Sequence, residues 1–189
     1  MDRQNVIERK VLQKPKSRFA IRPYWEVDIP HLYKAADESR QHVGEWMSWM
    51  TDAYTLWHTK EWVRHAISAW ENNEEYEFLI IDREDDSIAG ACGLNEINWK
   101  DLVCNLGYWV RTSKLNLGAA RQASQLLRDF GFCELGLNRL EIVIAVENEQ
   151  SRRVAESLGA IYEGIQRQRL RVHETVHDAR MYALLRNAG

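Results

Sequence analysis

Tyr108-Trp109-Val110-Arg111-Thr112-Ser113-Lys114-Leu115-Asn116-Leu117-Gly118-Ala119-Ala120-Arg121 is the stretch on which the reading of this chain turns. An apolar run, Leu102 to Val110, has the look of a buried strand, and the small residues Gly118, Ala119 and Ala120 open a segment of helical periodicity. Free backbone N–H groups and the positive dipole end at such a helix start can hold an anion such as a pyrophosphate, and small side chains let it approach the backbone. The same residues also serve a tightly packed turn, so the flanking sequence has to decide between the two.

Downstream, the helical pattern runs from Gly118 to Phe132 through Ala119, Ala123, Leu126, Leu127 and Phe130, and the glycine-bearing stretch 131–138 ends it. A strand, Leu140 to Val146, follows. Ser151, Val154, Ala155 and Leu158 then recur at helical spacing up to a C-cap at Gly159, and two strands, Ile161 to Leu170 and Thr175 to Leu185, close the chain. Upstream, Glu77 to Asp82 and Ser87 to Asn95 join Leu102 to Val110 as an antiparallel meander with turns at Asp85-Asp86 and Trp99-Lys100-Asp101. Before the meander, Phe19 to Pro23 reads as a strand. Ile29, Leu32, Tyr33 and Ala36 form a helix with Asp28 as N-cap and Pro30 in its first turn, and Val63, Ile67 and Trp70 mark a second helix from about Thr59. Trp62 and Trp70 are expected in the core. Residues 1–16 are polar and are expected as a flexible N-terminal arm, with a single domain over 17–189.

Composition agrees with an ordinary folded chain: 189 residues, 45% apolar and 28% charged. Lys plus Arg number 25 against 28 acids, a net charge of −3, so no overall basic field favours nucleic acid, although local patches remain. The longest uncharged runs, about nine residues, fall far short of a membrane span, and the N-terminus lacks an apolar signal region. A cytoplasmic protein without membrane or nucleic-acid partners is expected. Cys92, Cys104 and Cys133 lack metal-site spacing and are expected as packing residues, and the six histidines form no ligand set, so no metal is expected.

Taken in order, these elements resemble the GNAT acetyltransferase superfamily, and within it the RimJ/RimL type of N-terminal acetyltransferases. Tyr108, Trp109, Gly118, Ala120 and Ala123 match the family's "YW…GxA…A" element, and Asn148, Ser151 and Gly159 its "NxxS…G" element. Phe19 to Pro23 is similar to the opening "LRP" strand, Trp46-Met47-Ser48-Trp49 to the "WLPW" segment and Tyr162-Glu163-Gly164 to the "EG" strand, with His177-Asp178 and Met181-Tyr182 closing the fold. The resemblance covers about residues 17 to 186. It implies an α+β fold, with a mostly antiparallel twisted sheet of about seven strands and helices on both faces, and acetyl-CoA as co-substrate. The parted strands 102–110 and 139–146 would take the pantetheine by strand-like pairing near Trp109 and Val110. Leu115, Asn116, Leu117, Gly118, Ala119 and Ala120 would take the pyrophosphate, Asn148 would bond the pantetheine arm, and Ser151 would give a proton to the departing thiolate. Helix capping by Asn148 and simple packing of Ser151 are the structural alternatives.

Four positions depart from the family pattern: Leu115 and Asn116 replace Gln or Arg and a glycine, Ala155 replaces a tyrosine acid, and Leu170 a late-strand glutamate. Glu96 and Glu163 are the carboxylates offered as bases, Glu163 also at the acceptor site. Trp46 and Trp49 are offered as walls of an acceptor groove, and Arg167, Arg169 and Arg171 as a row that meets an acidic acceptor or the CoA 3′-phosphate or simply faces solvent. Near pH 7.5 an α-amine with pKa ~7.8 is about one third neutral and a lysine with pKa ~10.4 only ~0.1%. A site with a weak base therefore suits a protein or peptide N-terminus. A small amine or amine-bearing antibiotic, and a non-catalytic acyl-CoA binding domain, are the competing readings. The resemblance alone makes a homodimer an expectation.

Overall fold

The computed structural model describes residues 7–186. Its frame is one seven-stranded sheet in the order β1-β2-β3-β4-β5-β7-β6. β1 (Phe19–Pro23), β2 (Tyr76–Asp82), β3 (Ser87–Asn98) and β4 (Val103–Val110) pair antiparallel in sequence order. β5 (Arg139–Ala145) then joins β4 in parallel, and β6 (Ile161–Val172) and β7 (Thr175–Leu185) form a hairpin whose β7 arm pairs with β5. The expected fold class is present, and the strand readings hold to within a few residues.

Period-2 alternation sorts the strand residues onto two faces. Phe78, Cys92, Leu106, Leu140 and Ile142 point to the face covered by α4 (Ala119–Cys133) and α5 (Glu149–Ser157). Leu79, Ile88 and Ala91 point to the face covered by α1 (Ile29–Asp37) and α3 (Leu56–Glu71). The short α2 (Arg40–Gly44) leads into the tryptophan-bearing segment 45–55.

Several expectations give way here. Asp28 stands at the N-cap position of α1 without making the cap; its buried carboxylate pairs with Arg22 and accepts from the Trp25 N–H at 2.8 Å, because an ion pair outcompetes a neutral cap bond. Trp62 is 39% exposed rather than core, since it lies outside the inward stripe of α3 formed by Thr59, Val63, Ala66 and Trp70. Cys133 is exposed, while Cys92 and Cys104 are packed inside. The segment expected as a loose arm touches the domain from Ile7 onward: the Ile7 carbonyl accepts from Trp70 Nε1 at 3.0 Å, Arg9 donates to the Tyr24 carbonyl, and Leu12 bridges to Ile21. Residues 1–6 lie outside the described residues. The row of Arg167, Arg169 and Arg171 is broken by register shifts between Gln166 and Leu170, where Gln168 takes a positive φ of 53°.

At Gly90, β3 leaves no room for a side chain against the backbone of β4. Its φ is +149°, and a Cβ there would overlap the Trp109 carbonyl oxygen. Gly90→Ala should therefore destabilise the fold by about 2 kcal/mol or more, read as a lowered denaturation midpoint in urea at unchanged m-value.

Candidate active site

β4 and β5 pair only through Val103, Cys104 and Asn105 against Arg139, Leu140 and Glu141; beyond these residues the two strands diverge. Each keeps its outer ladder, β4 with β3 to Val110 and β5 with β7 to Ala145, so the facing inner edges are bare. Arg111 N–H bonds the Ala89 carbonyl, and ladder parity then turns the backbone groups of Tyr108 and Val110 toward the cleft and those of Trp109 toward β3. The Trp109 main chain is thus spent within the sheet and only its side chain faces the cavities. At Val110 the carbonyl accepts from His42 Nε2 at 2.7 Å, and the N–H has no partner among the described residues.

On one side of the split lies a cavity of about 270 Å³ that gathers Trp109, Val110, Leu115, Asn116, Gly118, Ala119, Ala120, Asn148 and Ser151. Of the residues expected at the cofactor, Leu117 alone falls outside its lining; it is 40% exposed on the outer side of the loop. Gly118 is the N-cap of α4 at φ +82°, and Asn116 takes φ +60°. The position where relatives carry a glycine is thus left-handed here, and asparagine is among the residues that tolerate this best. Asn116 therefore meets the backbone requirement at this position. Sequence reasoning missed Arg121 and Arg153, exposed cations in this cavity's lining.

Two ionic clusters shape the loop from behind. Lys114, only 9% exposed, donates to fully buried Asp82 at 2.8 Å and to Asp85 at 2.6 Å, and Arg18 also pairs with Asp82. Burial pushes the Asp82 carboxyl up, but the hydrogen bonds from Arg18 and Lys114 outweigh it and hold it below its ordinary value. Glu38 accepts from Arg111 at 2.7 Å and from the Ser113 N–H at 2.9 Å; these partners bring its pKa down to about 2 against a smaller opposing effect of burial.

The α5 terminus supplies the other wall. Asn148 Oδ1 caps the helix by accepting from the Ser151 N–H at 3.0 Å, while both amide N–H groups remain for a ligand. The capping alternative holds for Asn148, which also lines the cavity. The Ser151 Oγ has no hydrogen-bond partner among the described residues, and the Tyr108 hydroxyl donates to the Ser151 carbonyl at 3.3 Å. Burial raises the Tyr108 phenol to about 12, which keeps it protonated. Ala155 is fully buried, so the position corresponding to the relatives' tyrosine faces the core.

A second cavity, about 360 Å³, adjoins the first and shares Trp46, Met47, Tyr108, Trp109, Asn148 and Ser151 with it. Trp49, Glu96 and Leu170 line it. Glu163 does not: it lies outside both cavities, its carboxylate held by both terminal nitrogens of Arg139, so the base and substrate-binding roles expected for it are withdrawn. Of the arginine row only Arg169 reaches this cavity, and none reaches the first. Glu77 on β2 also lines the second cavity, and sequence reasoning passed it over. It is 6% exposed, and burial, partly offset by a hydrogen bond from Asn95, raises its carboxyl to about 7.

A model of the GNAT acetyltransferase domain matches residues 18–161. The chain is 34% identical over 109 residues to an uncharacterized N-acetyltransferase of Bacillus licheniformis, covering 58% of this chain and 61% of that one, so this alignment spans less than two thirds of that relative. Over 178 residues it is 29% identical to YdaF of Bacillus subtilis strain 168, provisionally described as a ribosomal N-acetyltransferase, covering 92% and 94%. Among solved structures, RimL, a ribosomal-protein α-N-acetyltransferase in complex with coenzyme A, superposes with a TM-score of 0.86 at 21% identity, over 93% of this chain and 98% of that one.

Because Glu77 binds its proton more tightly folded than unfolded, its stabilising contribution is complete below pH ~4.5 and is lost as pH rises to about 7. Glu77→Gln should therefore match the wild type near pH 4.5 and exceed its unfolding free energy at pH 8 by roughly 3 kcal/mol. Paired urea titrations at the two pH values check this.

Proposed function

The chain belongs to the GNAT acetyltransferase family, and from that premise we propose that it transfers acetyl from acetyl-CoA to the α-amino group of a protein or peptide, by direct attack while both substrates are bound. The observation that carries this reading is the meeting of the two cavities at Tyr108, Asn148 and Ser151, beside the bare strand edges. A thioester held along the inner edge of β4 presents its carbonyl carbon where an amine entering from the second cavity arrives. Positioning of this kind supplies much of the rate in acyl transfer.

In this assignment the N–H groups from Asn116 to Ala120, at the positive end of α4, hold the pyrophosphate, the Leu115 N–H being donated to the Thr112 carbonyl at 3.3 Å, and Arg121 and Arg153 add charge at the rim. The Val110 N–H and the Asn148 amide donate to the pantetheine arm. The Ser151 hydroxyl gives its proton to the leaving thiolate and regains one from the acylated nitrogen. Trp46 and Trp49 bound the acceptor, and Glu96, offered from sequence as a base, is an exposed carboxylate of the same cavity to which this assignment gives no step. The names of YdaF and RimL support a protein α-amine as acceptor.

One feature favours a second reading, a small amine with a planar apolar body. A third cavity, about 380 Å³, opens beside the acceptor side and is walled by Tyr24, Trp49, Tyr54, Trp57, Trp62 and Trp109. A panel of free α-amine peptides, a ribosomal-protein fraction and small aromatic amines separates the two. Turnover confined to the small amines would replace the protein reading with this one.

Calorimetric titration should give micromolar acetyl-CoA binding to the wild type. Gly118→Glu, which brings a negative charge to the helix start, should weaken it at least tenfold. Gly118→Ala carries the same backbone strain at φ +82° without the charge and should stay within a few-fold of wild type. Equal affinity in all three would overturn the pyrophosphate assignment.

A further inference from the structure

Across the face of the sheet that floors the second cavity, Glu77 on β2 pairs in register with Gly93 on β3, and Gly93 with Gly107 on β4. No side chain rises from either glycine. The result is a bare lane two strand spacings long, roughly 10 Å, that runs from Glu77 to the stretch of β4 just past its last pair with β5. The Glu77 side chain leans along it: a Cβ at Gly93 would overlap its carboxylate, whereas one at Gly107 would meet nothing nearer than Asn105 Nδ2 at 3.8 Å. Oε1 accepts from Asn95 Nδ2 at 3.3 Å, and Asn95 Oδ1 accepts from Asn105 Nδ2 at 2.8 Å. Oε2 has no protein partner among the described residues.

Resting on the reading that the two cavities hold the acetyl donor and the amine, we infer that Glu77 is the catalytic proton acceptor for the incoming amine, acting directly or through one water above Gly107. Glu96 shares the cavity but is exposed at a positive-φ position near the end of β3, and Leu170 on another wall offers no acceptor. Glu77 takes one proton from the α-ammonium. The freed lone pair forms the N–C bond to the thioester carbonyl carbon, the C–S bond breaks with its pair on sulfur, and the thiolate takes the Ser151 proton. The nitrogen's second surplus proton restores the serine, and Glu77 releases its own to solvent. The sum is ammonium plus thioester giving amide, thiol and one proton.

The charge environment suits the task. Tyr24 and Cys92 are buried, with burial pushing both further up, so they stay neutral beside Glu77, and Glu75 adds a like charge. Glu96 and Arg169 face the same cavity. A carboxyl raised to about 7 is close to an α-ammonium of pKa ~7.7–8.0 and about three units below a lysine at ~10.4, so proton transfer is nearly balanced for the first and steeply uphill for the second.

The test is the pH dependence, from pH 6 to 9, of kcat and kcat/KM for wild type, Glu77→Gln and Glu96→Gln on the best α-amine acceptor in the panel, with acetyl-CoA affinity measured beside it. Glu77→Gln should bind acetyl-CoA as wild type does and lose about 100-fold in kcat near pH 7. Its activity should recover toward pH 9 as the amine deprotonates unaided, while Glu96→Gln stays within a few-fold with an unchanged profile. A Glu77→Gln enzyme with wild-type kcat and profile, or loss of the acidic limb in Glu96→Gln instead, would overturn the inference and leave the acetyltransferase reading standing. Failure of the wild type to turn over any amine would overturn both.

Discussion

Two neighbouring strands that stop pairing in mid-course leave peptide groups exposed that folded proteins otherwise satisfy. The divergence of β4 and β5 after Asn105 and Glu141 is that constraint here, and the remaining architecture is arranged around it. Each strand stays anchored along its outer edge, so the gap does not unravel the sheet. α5 begins beside the gap, capped by Asn148, and the loop into α4 begins where β4 ends. His42 takes the Val110 carbonyl while its other ring nitrogen meets Thr112 Oγ1 at 2.9 Å, which ties α2 to the same edge. A pantetheine arm would supply the missing ladder partners, so under the proposed function the defect in the sheet and the site for the co-substrate are one feature.

The loop into α4 shows how a motif can be altered without its geometry being lost. Family resemblance asks for a glycine at 116, and the structure shows why: the backbone there is left-handed. Asparagine fills that requirement. Leu115 sits at φ −64° and ψ 152°, an extended conformation open to any residue, so this replacement costs the loop no backbone strain. The cluster of Lys114, Asp82 and Arg18 holds the segment's other end through side chains from β2 and from the residue just before β1, far away in sequence.

Periodicity made the sheet and helices legible, because burial on one side writes itself into spacing. Ordered motifs made one cavity legible as well: Gly118, Asn148 and Ser151, far apart in sequence, line it together. What stayed hidden depends on register between strands. Nothing in Glu77's own neighbourhood separates it from a solvated acid. Its place becomes visible only when Gly93 and Gly107 are known to lie beside it in successive strands. Trp62 was misjudged because a tryptophan one position off the inward stripe of α3 fits a loose helical pattern, and Glu163 because its partner Arg139 lies on another strand.

The electrostatics around the α4 loop divide into two populations with different exposure. Lys114 and Asp82 are sealed from solvent, whereas Arg121 and Arg153 stand in it. At 0.15 M ionic strength charges are screened over about 8 Å of water, but a pair buried in the protein scarcely feels the electrolyte. Added salt therefore leaves the shape of the cradle intact while weakening the pull of its rim. An anionic ligand would be captured more slowly in concentrated salt, yet would find the same mould once it arrived.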